Sequence, residues 1–376
     1  MKIVVDKKIP FINGVLEKRA DVVYLEGREI SRRDLLTTDA LIVRTRTKCN
    51  RDLLEGTSVR FIASATIGFD HIDTSFCEAN GIFWTNAAGC NSSSVQQYIG
   101  GALVHLAHKL NLTLAEKTIG VVGAGNVGSK VAKLCETIGM RVLLNDPPRE
   151  RKEGSNNFVS LEKIVDESDI ITLHVPLNRD GIDKTLHMGN EGFFSKLNKD
   201  QVFINSSRGE VVDTSALKSY LRSRKAKACV LDVWEHEPEI DRELLDLVDI
   251  GTPHIAGYSA DGKAKGTSMS VQALSRFFGL DLNAWIPDAV PPPEHPILEL
   301  DCRGLNQQAV FGQLVRHTYD IRADDRRLRE SPKTFEKQRG EYPLRREFAA
   351  YTVRLRNATD GTLALVRDLG FHVSAL

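Results

Sequence analysis

The segment GVVGAGNVG, residues 120–128, constrains this chain more than any other. It sets Gly123-x-Gly125-x-x-Gly128 between the apolar run TIGVV and a stretch of helical period. In that stretch Val127, Val131, Leu134 and Ile138 share one face, and Gly139 ends it. A first glycine there permits a tight turn, a second lets backbone approach a pyrophosphate, and a third lets helix and strand pack closely. The helix start then faces the negative charge. Asp146 ends the next strand-like run, MRVLLND, 18 residues after Gly128, where an acid accepts hydrogen bonds from an adenosine ribose. A turn with an incidental aspartate is the competing reading, and strand, helix and acid in register weigh against it. The expectation is a dinucleotide cradle of Gly123, Gly125, Asn126, Val127 and Gly128, with Asp146 on the ribose. A carboxylate repels a 2′-phosphate, so NAD is expected rather than NADP.

The alternation continues on both sides. MKIVVD, ALIVRT and VRFIASAT precede the cradle, and DIITLHVP, QVFINSS, AKACVLDVW and VDIGTPH follow it, each separated by helical or polar stretches. That order predicts α/β architecture with two doubly wound, Rossmann-like parallel sheets. Between them VQQYIGGALVHLAHKL spaces Val95, Ile99, Ala102, Leu103, Leu106 and Leu110 by three and four, a helix that can link two domains. WIPDAVPPPEHP, residues 285–296, holds five prolines and reads as a semi-rigid linker. Beyond it FAAYTVRLR alternates as a half-exposed strand of a small C-terminal α+β module. Its buried face needs a cover, which either a symmetric partner or the chain itself supplies. The expected domains are residues 1–93 with 258–285 (substrate-binding lid), 94–257 (NAD-binding) and 288–376 (C-terminal module).

Composition narrows the class. Lysine plus arginine equals aspartate plus glutamate, 50 each in 376 residues, so nothing draws nucleic acid or an anionic membrane surface. No apolar run approaches the roughly 20 residues of a membrane span. MKIVVDKKIPF lacks the apolar core and cleavage site of a signal peptide. The six cysteines are scattered without a CxxC pair, which predicts reduced thiols in a cytoplasmic protein and no metal centre.

Candidate chemistry collects after three strands. Arg208, in NSSRGEVVD, sits where doubly wound sheets bind ligands and can fork onto a carboxylate; a salt-bridge partner is the plainer reading. Glu235, Glu237 and Glu239 follow LDVW, and His236 lies among them. His254 follows the next strand, in GTPHIAGYS. A histidine exchanges protons near neutral pH, and a neighbouring carboxylate orients it. His174, in HVPL, reads as a supporting residue near the cofactor, and Asp213 as the cap of the helix DTSALKSYL.

Over residues 1–285 these motifs resemble the D-isomer-specific 2-hydroxyacid dehydrogenases. In that family an arginine after S-R-G, a glutamate in D-V-x-x-x-E-P and a histidine in T-P-H-x-A-G form the catalytic set. The resemblance selects Arg208, Glu237 and His254, and leaves His236, Glu235 and Glu239 as solvated loop residues. It implies hydride transfer between NAD and a 2-hydroxy acid. His254 would act as proton acceptor, Glu237 as its partner, and Arg208 as holder of the substrate carboxylate. It further implies that Val175, Ser206, Asp232 and Gly257 line the cofactor, and that Thr45, Thr66 and Tyr258 contact substrate. Val175 stands where the family often has threonine, which leaves that contact to backbone.

Further fragments, VVDKKIPF, VRTRTKCNRDLLEG, SATIGFDHID, NAAGCNSSSV, NDPPR and YPLRREF, resemble a branch with an extra C-terminal domain. That branch implies a phosphorylated 2-hydroxy acid as substrate and a homodimer through the extra domain. Another dehydrogenase of the family, or a non-catalytic NAD-sensing protein, is the alternative. RTRTK, read as extended, puts Arg44, Arg46 and Lys48 on one side and Thr45 and Thr47 on the other. Each cation is as readily solvated as turned towards a phosphate.

Overall fold

The structure, a computed structural model, describes residues 1–223 and 226–375. The chain divides into two compact units, Met1–Asn91 with Ser259–Pro291, and Ser92–Tyr258 with Pro292–Leu376.

The first unit is built on five parallel strands, β1 (Lys2–Asp6), β2 (Asp21–Leu25), β3 (Ala40–Val43), β4 (Phe61–Ser64) and β5 (Phe83–Asn86), in the order β2-β1-β3-β4-β5. Every residue of β3 and β4 is buried, as expected of strands covered on both faces. The helix Ala260–Phe278 starts on Ser259, whose hydroxyl accepts from Gly262 N, and stops at Gly279 in the left-handed conformation. Its small residues let it lie close to the sheet. A Cβ on Gly266 would come within 2.5 Å of Ala65 O.

The second unit carries β6 (Thr118–Val122), β7 (Arg141–Asn145), β8 (Ile170–Leu173), β9 (Val202–Asn205), β10 (Ala228–Leu231) and β11 (Ile250–Gly251). They form one parallel sheet, β11-β10-β9-β8-β6-β7. Strand order reverses between β6 and β8, so the crevice beyond their carboxyl ends is the place for a ligand. The helix Asn126–Thr137 follows β6 and closes through Ile138 and Gly139, whose φ is +85°. The helix Ser92–Leu110 buries Tyr98, Ile99, Ala102, Leu103 and Leu106 completely.

The proline-rich stretch 285–296 forms no helix or strand. After it β12 (Ile297–Asp301), β13 (Thr352–Arg356) and β14 (His372–Ala375) make a parallel sheet in that order, with the helices Gln307–Thr318 and Asp360–Asp368 between its strands. Only TVRLR of FAAYTVRLR is strand, because Phe348–Ala350 coils into a short 3-10 turn. The strand's inward residue, Val353, is fully buried in a core shared with Phe311, Leu314, Val315 and Val366 and with Tyr98, Ile99 and Leu103. The chain therefore covers that face itself. Among the described residues no helix is long and apolar enough to cross a membrane.

Candidate active site

The glycine turn after β6 has the shape of a cradle. Gly123 adopts φ +88°, and a Cβ on it would lie 2.6 Å from His174 O; a Cβ on Gly128 would lie 1.8 Å from Gly123 O. Only glycine allows either approach. Gly125 is different: apart from its chain neighbours, no atom of the described residues lies within 4 Å of where a Cβ would stand. Gly125 and Asn126 are exposed at the helix start, with Val127 half-buried behind them. Asp146 follows β7, and its carboxylate accepts from Ala124 N (2.8 Å) and Arg149 N (3.0 Å), which fixes its position and leaves lone pairs for a ribose. The Arg149 guanidinium is held by both oxygens of Glu153 (2.8 and 2.7 Å) and lies over Phe158. An open glycine, a helix start and a fixed acid fit a dinucleotide.

Across the switch point β8 delivers His174 and Val175. His174 Nε2 is 3.0 Å from Thr172 Oγ1, and Nδ1 is 3.5 Å from Ser206 Oγ. Burial pushes its pKa down to about 3, so the ring is neutral.

β9 ends in Asn205, which organises the next turn. Its amide oxygen accepts from Ser207 N (3.0 Å) and Ser207 Oγ (2.8 Å), and its Nδ2 donates to Arg208 O (3.0 Å). Arg208 leaves this turn half-buried, with Nη1 donating to Ser207 O (2.8 Å). Gly209 comes next because nothing larger fits: a Cβ there would lie 2.0 Å from the Trp234 carbonyl. The turn bearing Arg208 is thereby pressed against the loop bearing Glu237.

That loop leaves β10 at Asp232, which is 1% exposed. The Asp232 carboxylate accepts from Thr252 Oγ1 (2.6 Å), Ile255 N (2.7 Å) and Ala256 N (2.9 Å), while its backbone carbonyl accepts from His254 N (2.7 Å). Burial raises its carboxyl above the ordinary value, against the opposing pull of His254 and these donors. The bonds hold His254 at φ +56°, a backbone state that persists only when its surroundings enforce it. Gly257 and Tyr258 continue this loop, both half-buried.

Glu237 is 2.7 Å from His254 Nδ1 through Oε2, and its Oε1 accepts from Trp234 N (3.0 Å). Burial alone would raise the Glu237 carboxyl; His254, Arg339 and the Trp234 N–H together hold it below its ordinary value. An ionised Glu237 takes the proton on His254 Nδ1 as a hydrogen bond. Nε2 is then the basic nitrogen, able to accept a proton from a ligand.

The other ionisable groups of this region divide. His236 and Glu239 are exposed. Glu235 is not a solvated loop residue: it accepts from Thr214 N (2.8 Å) and His187 Nε2 (2.7 Å), and its side chain is 12% exposed. It ties this loop to the helix Thr214–Arg222, which Asp213 caps through Ala216 N (2.8 Å). The sequence places Glu235 correctly in the loop and gives no sign of its partner, which comes from a distant turn.

In the first unit, RTRTK does not run extended. Thr47 N donates to Arg44 O (3.3 Å), closing a turn. Asp6, wholly buried at the end of β1, takes Arg44 as its counter-charge, with Nε at 3.0 Å and Nη2 at 3.3 Å. Thr47 is buried with its hydroxyl on Gly27 O (2.8 Å). Thr45 and Lys48 are exposed, and Arg46 is half-buried. A buried aspartate needs a paired cation, and that need overrides strand alternation here. Thr66 Oγ1 donates to Gly68 O (3.1 Å) and meets Ser64 Oγ (2.8 Å), which lies 3.1 Å from His71 Nε2.

Residues 93–256 match the family described as D-isomer specific 2-hydroxyacid dehydrogenase, NAD binding domain, and residues 291–370 match a domain of unknown function. The chain is 52% identical to an erythronate-4-phosphate dehydrogenase of Bacteroides thetaiotaomicron over 94% of its length and 99% of that protein's. It is 40% identical to that of Cronobacter sakazakii over 100% of its length and 99% of that protein's. The D-lactate dehydrogenase of Aquifex aeolicus complexed with NAD and lactic acid superposes with a TM-score of 0.60 at 26% identity, over 78% of this chain and 100% of that one. Identity of this extent, carried across both the NAD-binding core and the C-terminal segment, means that the chain belongs to the erythronate-4-phosphate dehydrogenases within the D-isomer-specific 2-hydroxyacid dehydrogenase family.

Proposed function

We propose that the protein oxidises 4-phospho-D-erythronate at its C2 hydroxyl to (R)-3-hydroxy-2-oxo-4-phosphooxybutanoate, a step towards pyridoxal 5′-phosphate. The observation that carries this reading is the 2.7 Å pair of His254 Nδ1 and Glu237 Oε2, beside a turn that presents Arg208. Bound NAD supplies the hydride acceptor, held by the glycine turn, Asp146, Val175, Ser206 and the loop built around Asp232 and Gly257. His254 Nε2 takes the proton of the C2 hydroxyl as the C2–H bond breaks. Glu237 stabilises the imidazolium that results, and Arg208 holds the C1 carboxylate and polarises the new carbonyl. Tyr258, Thr45 and Thr66 contact the rest of the substrate. Arg44 is paired with Asp6, and Lys48, exposed on the same segment, is a cation within that segment for the phosphate. The protein acts as a homodimer in the cytoplasm; six buried cysteines outside any disulfide suit a reducing compartment, and among the described residues β12 and β14 are the edge strands of their sheet.

Initial rates of NADH formation with 4-phosphoerythronate, 3-phosphoglycerate and D-lactate, repeated with NADP, test the reading. We expect kcat/KM highest for 4-phosphoerythronate with NAD. A higher value for 3-phosphoglycerate would move the substrate assignment, and a preference for NADP would discard the role of Asp146.

A further inference from the structure

The Glu237–His254 pair is backed by a cation that none of the dehydrogenase motifs contains. Arg339 lies on the short helix Phe335–Gly340 of the C-terminal segment, and its side chain is 10% exposed. Its Nη1 is 3.9 Å from Glu237 Oε2, the oxygen that meets His254, and 3.1 Å from Glu336 Oε1. The guanidinium lies over the rings of Tyr258 (5.7 Å) and Phe335 (5.8 Å). Its buried Nε has no hydrogen-bond partner among the described residues. A cation kept largely from water with an unsatisfied donor is costly for folding alone.

Arg345, 4% exposed, grips the same loop a few residues away. Its Nη2 donates to Ala256 O (2.5 Å), and its guanidinium stacks on Tyr319 (4.7 Å). Ser94 Oγ, on the helix Ser92–Leu110, donates to Glu347 Oε1 (3.0 Å) and anchors the end of the segment. One C-terminal stretch therefore holds the His254–Tyr258 loop at the Ala256 carbonyl and at Tyr258, and the preceding loop at Glu237.

We infer that Arg339 is a positioning residue for the proton transfer, fixing Glu237 as the carboxylate that orients His254, so that the C-terminal segment completes the general-base pair of its own chain. The inference rests on the reading of His254 as the base. Arg339 attracts Glu237 without displacing His254, because the 3.9 Å separation is an ion pair and too long for a hydrogen bond. Lysine keeps the charge, and glutamine removes it while keeping a polar side chain.

Four variants decide it: Arg339→Gln, Arg339→Lys, Glu237→Gln and the double variant Arg339→Gln/Glu237→Gln. Each is measured for kcat and KM with 4-phosphoerythronate and NAD, for NADH affinity by fluorescence, and for thermal unfolding. We expect Arg339→Gln to lower kcat roughly 10- to 100-fold while NADH affinity stays unchanged. Arg339→Lys should recover most of that loss. The double variant should be no slower than Glu237→Gln, since Arg339 acts only through Glu237. Wild-type kcat in Arg339→Gln, or losses that multiply in the double variant, would overturn the inference. If Arg339→Gln does not fold, Arg339→Met takes its place: kcat well below that of Arg339→Lys supports the charge role, and equal kcat in the two refutes it. Wild-type kcat in Glu237→Gln sinks the general-base reading itself, whereas a slow Glu237→Gln beside a fast Arg339→Gln sinks the positioning role alone.

Discussion

His236 and His254 both adopt left-handed backbone, with φ of 62° and 56°, yet only one is built into its surroundings. His254 is fixed from three directions: the carbonyl of Asp232, the carboxylate of Glu237, and the two N–H groups after it that bond Asp232. His236 is exposed. The family resemblance in the sequence also singles out His254 rather than His236. It does not reveal Asp232 as the keystone of the loop, because Thr252, Ile255 and Ala256 become its donors only once β10 and β11 lie side by side. His174 illustrates the same limit from the other direction. The sequence marks it as a supporting residue, and burial then holds the ring neutral with a pKa near 3, against an ordinary 6.5. Between those two values the unfolded chain binds a proton that the folded chain refuses. His174 therefore contributes stability that is full above about pH 6.5 and drains away as pH falls towards 3. Urea unfolding of the wild type and His174→Gln at pH 7.5 and 5.0 measures this. The wild type should lose more stability between the two, and equal losses would mean the ring is solvated and protonates freely.

At the scale of elements, the central strands were readable because burial on both faces leaves a continuous apolar run, as in ALIV of β3, IITL of β8 and VFIN of β9. The strands that escaped notice are edges. Among the described residues β2, β5, β12 and β14 each pair on one side only, and β2, β5 and β12 carry exposed or half-buried residues that blur the pattern. The glycine turn was legible in full, yet its three glycines answer to different demands. A Cβ on Gly128 collides with Gly123 O at 1.8 Å, a conflict inside the protein. A Cβ on Gly125 meets no described residue beyond its chain neighbours within 4 Å, and its φ of −71° suits any residue, so its demand comes from the ligand. Gly125→Ala should therefore unfold at the wild-type temperature while binding NADH more weakly, about tenfold or more. Gly128→Ala should unfold earlier even without cofactor, by several degrees for about 2 kcal/mol of strain. Thermal scans with and without NADH separate the two. Equal melting temperatures in Gly128→Ala and the wild type, or undiminished NADH binding in Gly125→Ala, would break the distinction.

The whole molecule departs most from what the sequence suggests at its C-terminal end. A proline-rich stretch and a change of composition mark residues 288–376 as a separate module, and the half-exposed strand asks for a cover from a partner subunit or from the chain itself. Both cues are local. What they miss is that Phe311, Leu314, Val315 and Val353 enter one core with Tyr98, Ile99 and Leu103 of the helix Ser92–Leu110. Arg339 escaped for the same reason: it sits in a charged stretch whose partners lie about a hundred residues upstream. Each large apolar side chain so buried stabilises by about 1.5–3 kcal/mol, so four of them approach the entire 5–15 kcal/mol that holds a typical domain folded. Removing residues 292–376 should accordingly do more than disrupt an interface. We expect the 1–291 chain to lose cooperative unfolding or melt more than about 10 °C lower, and to aggregate, while full-length protein scatters light as a dimer. If full-length protein is monomeric at micromolar concentration, the homodimer is wrong. If the 1–291 chain melts near the full-length temperature and still binds NADH, the shared core contributes little. The C-terminal segment would then be the detachable assembly module that its linker suggests.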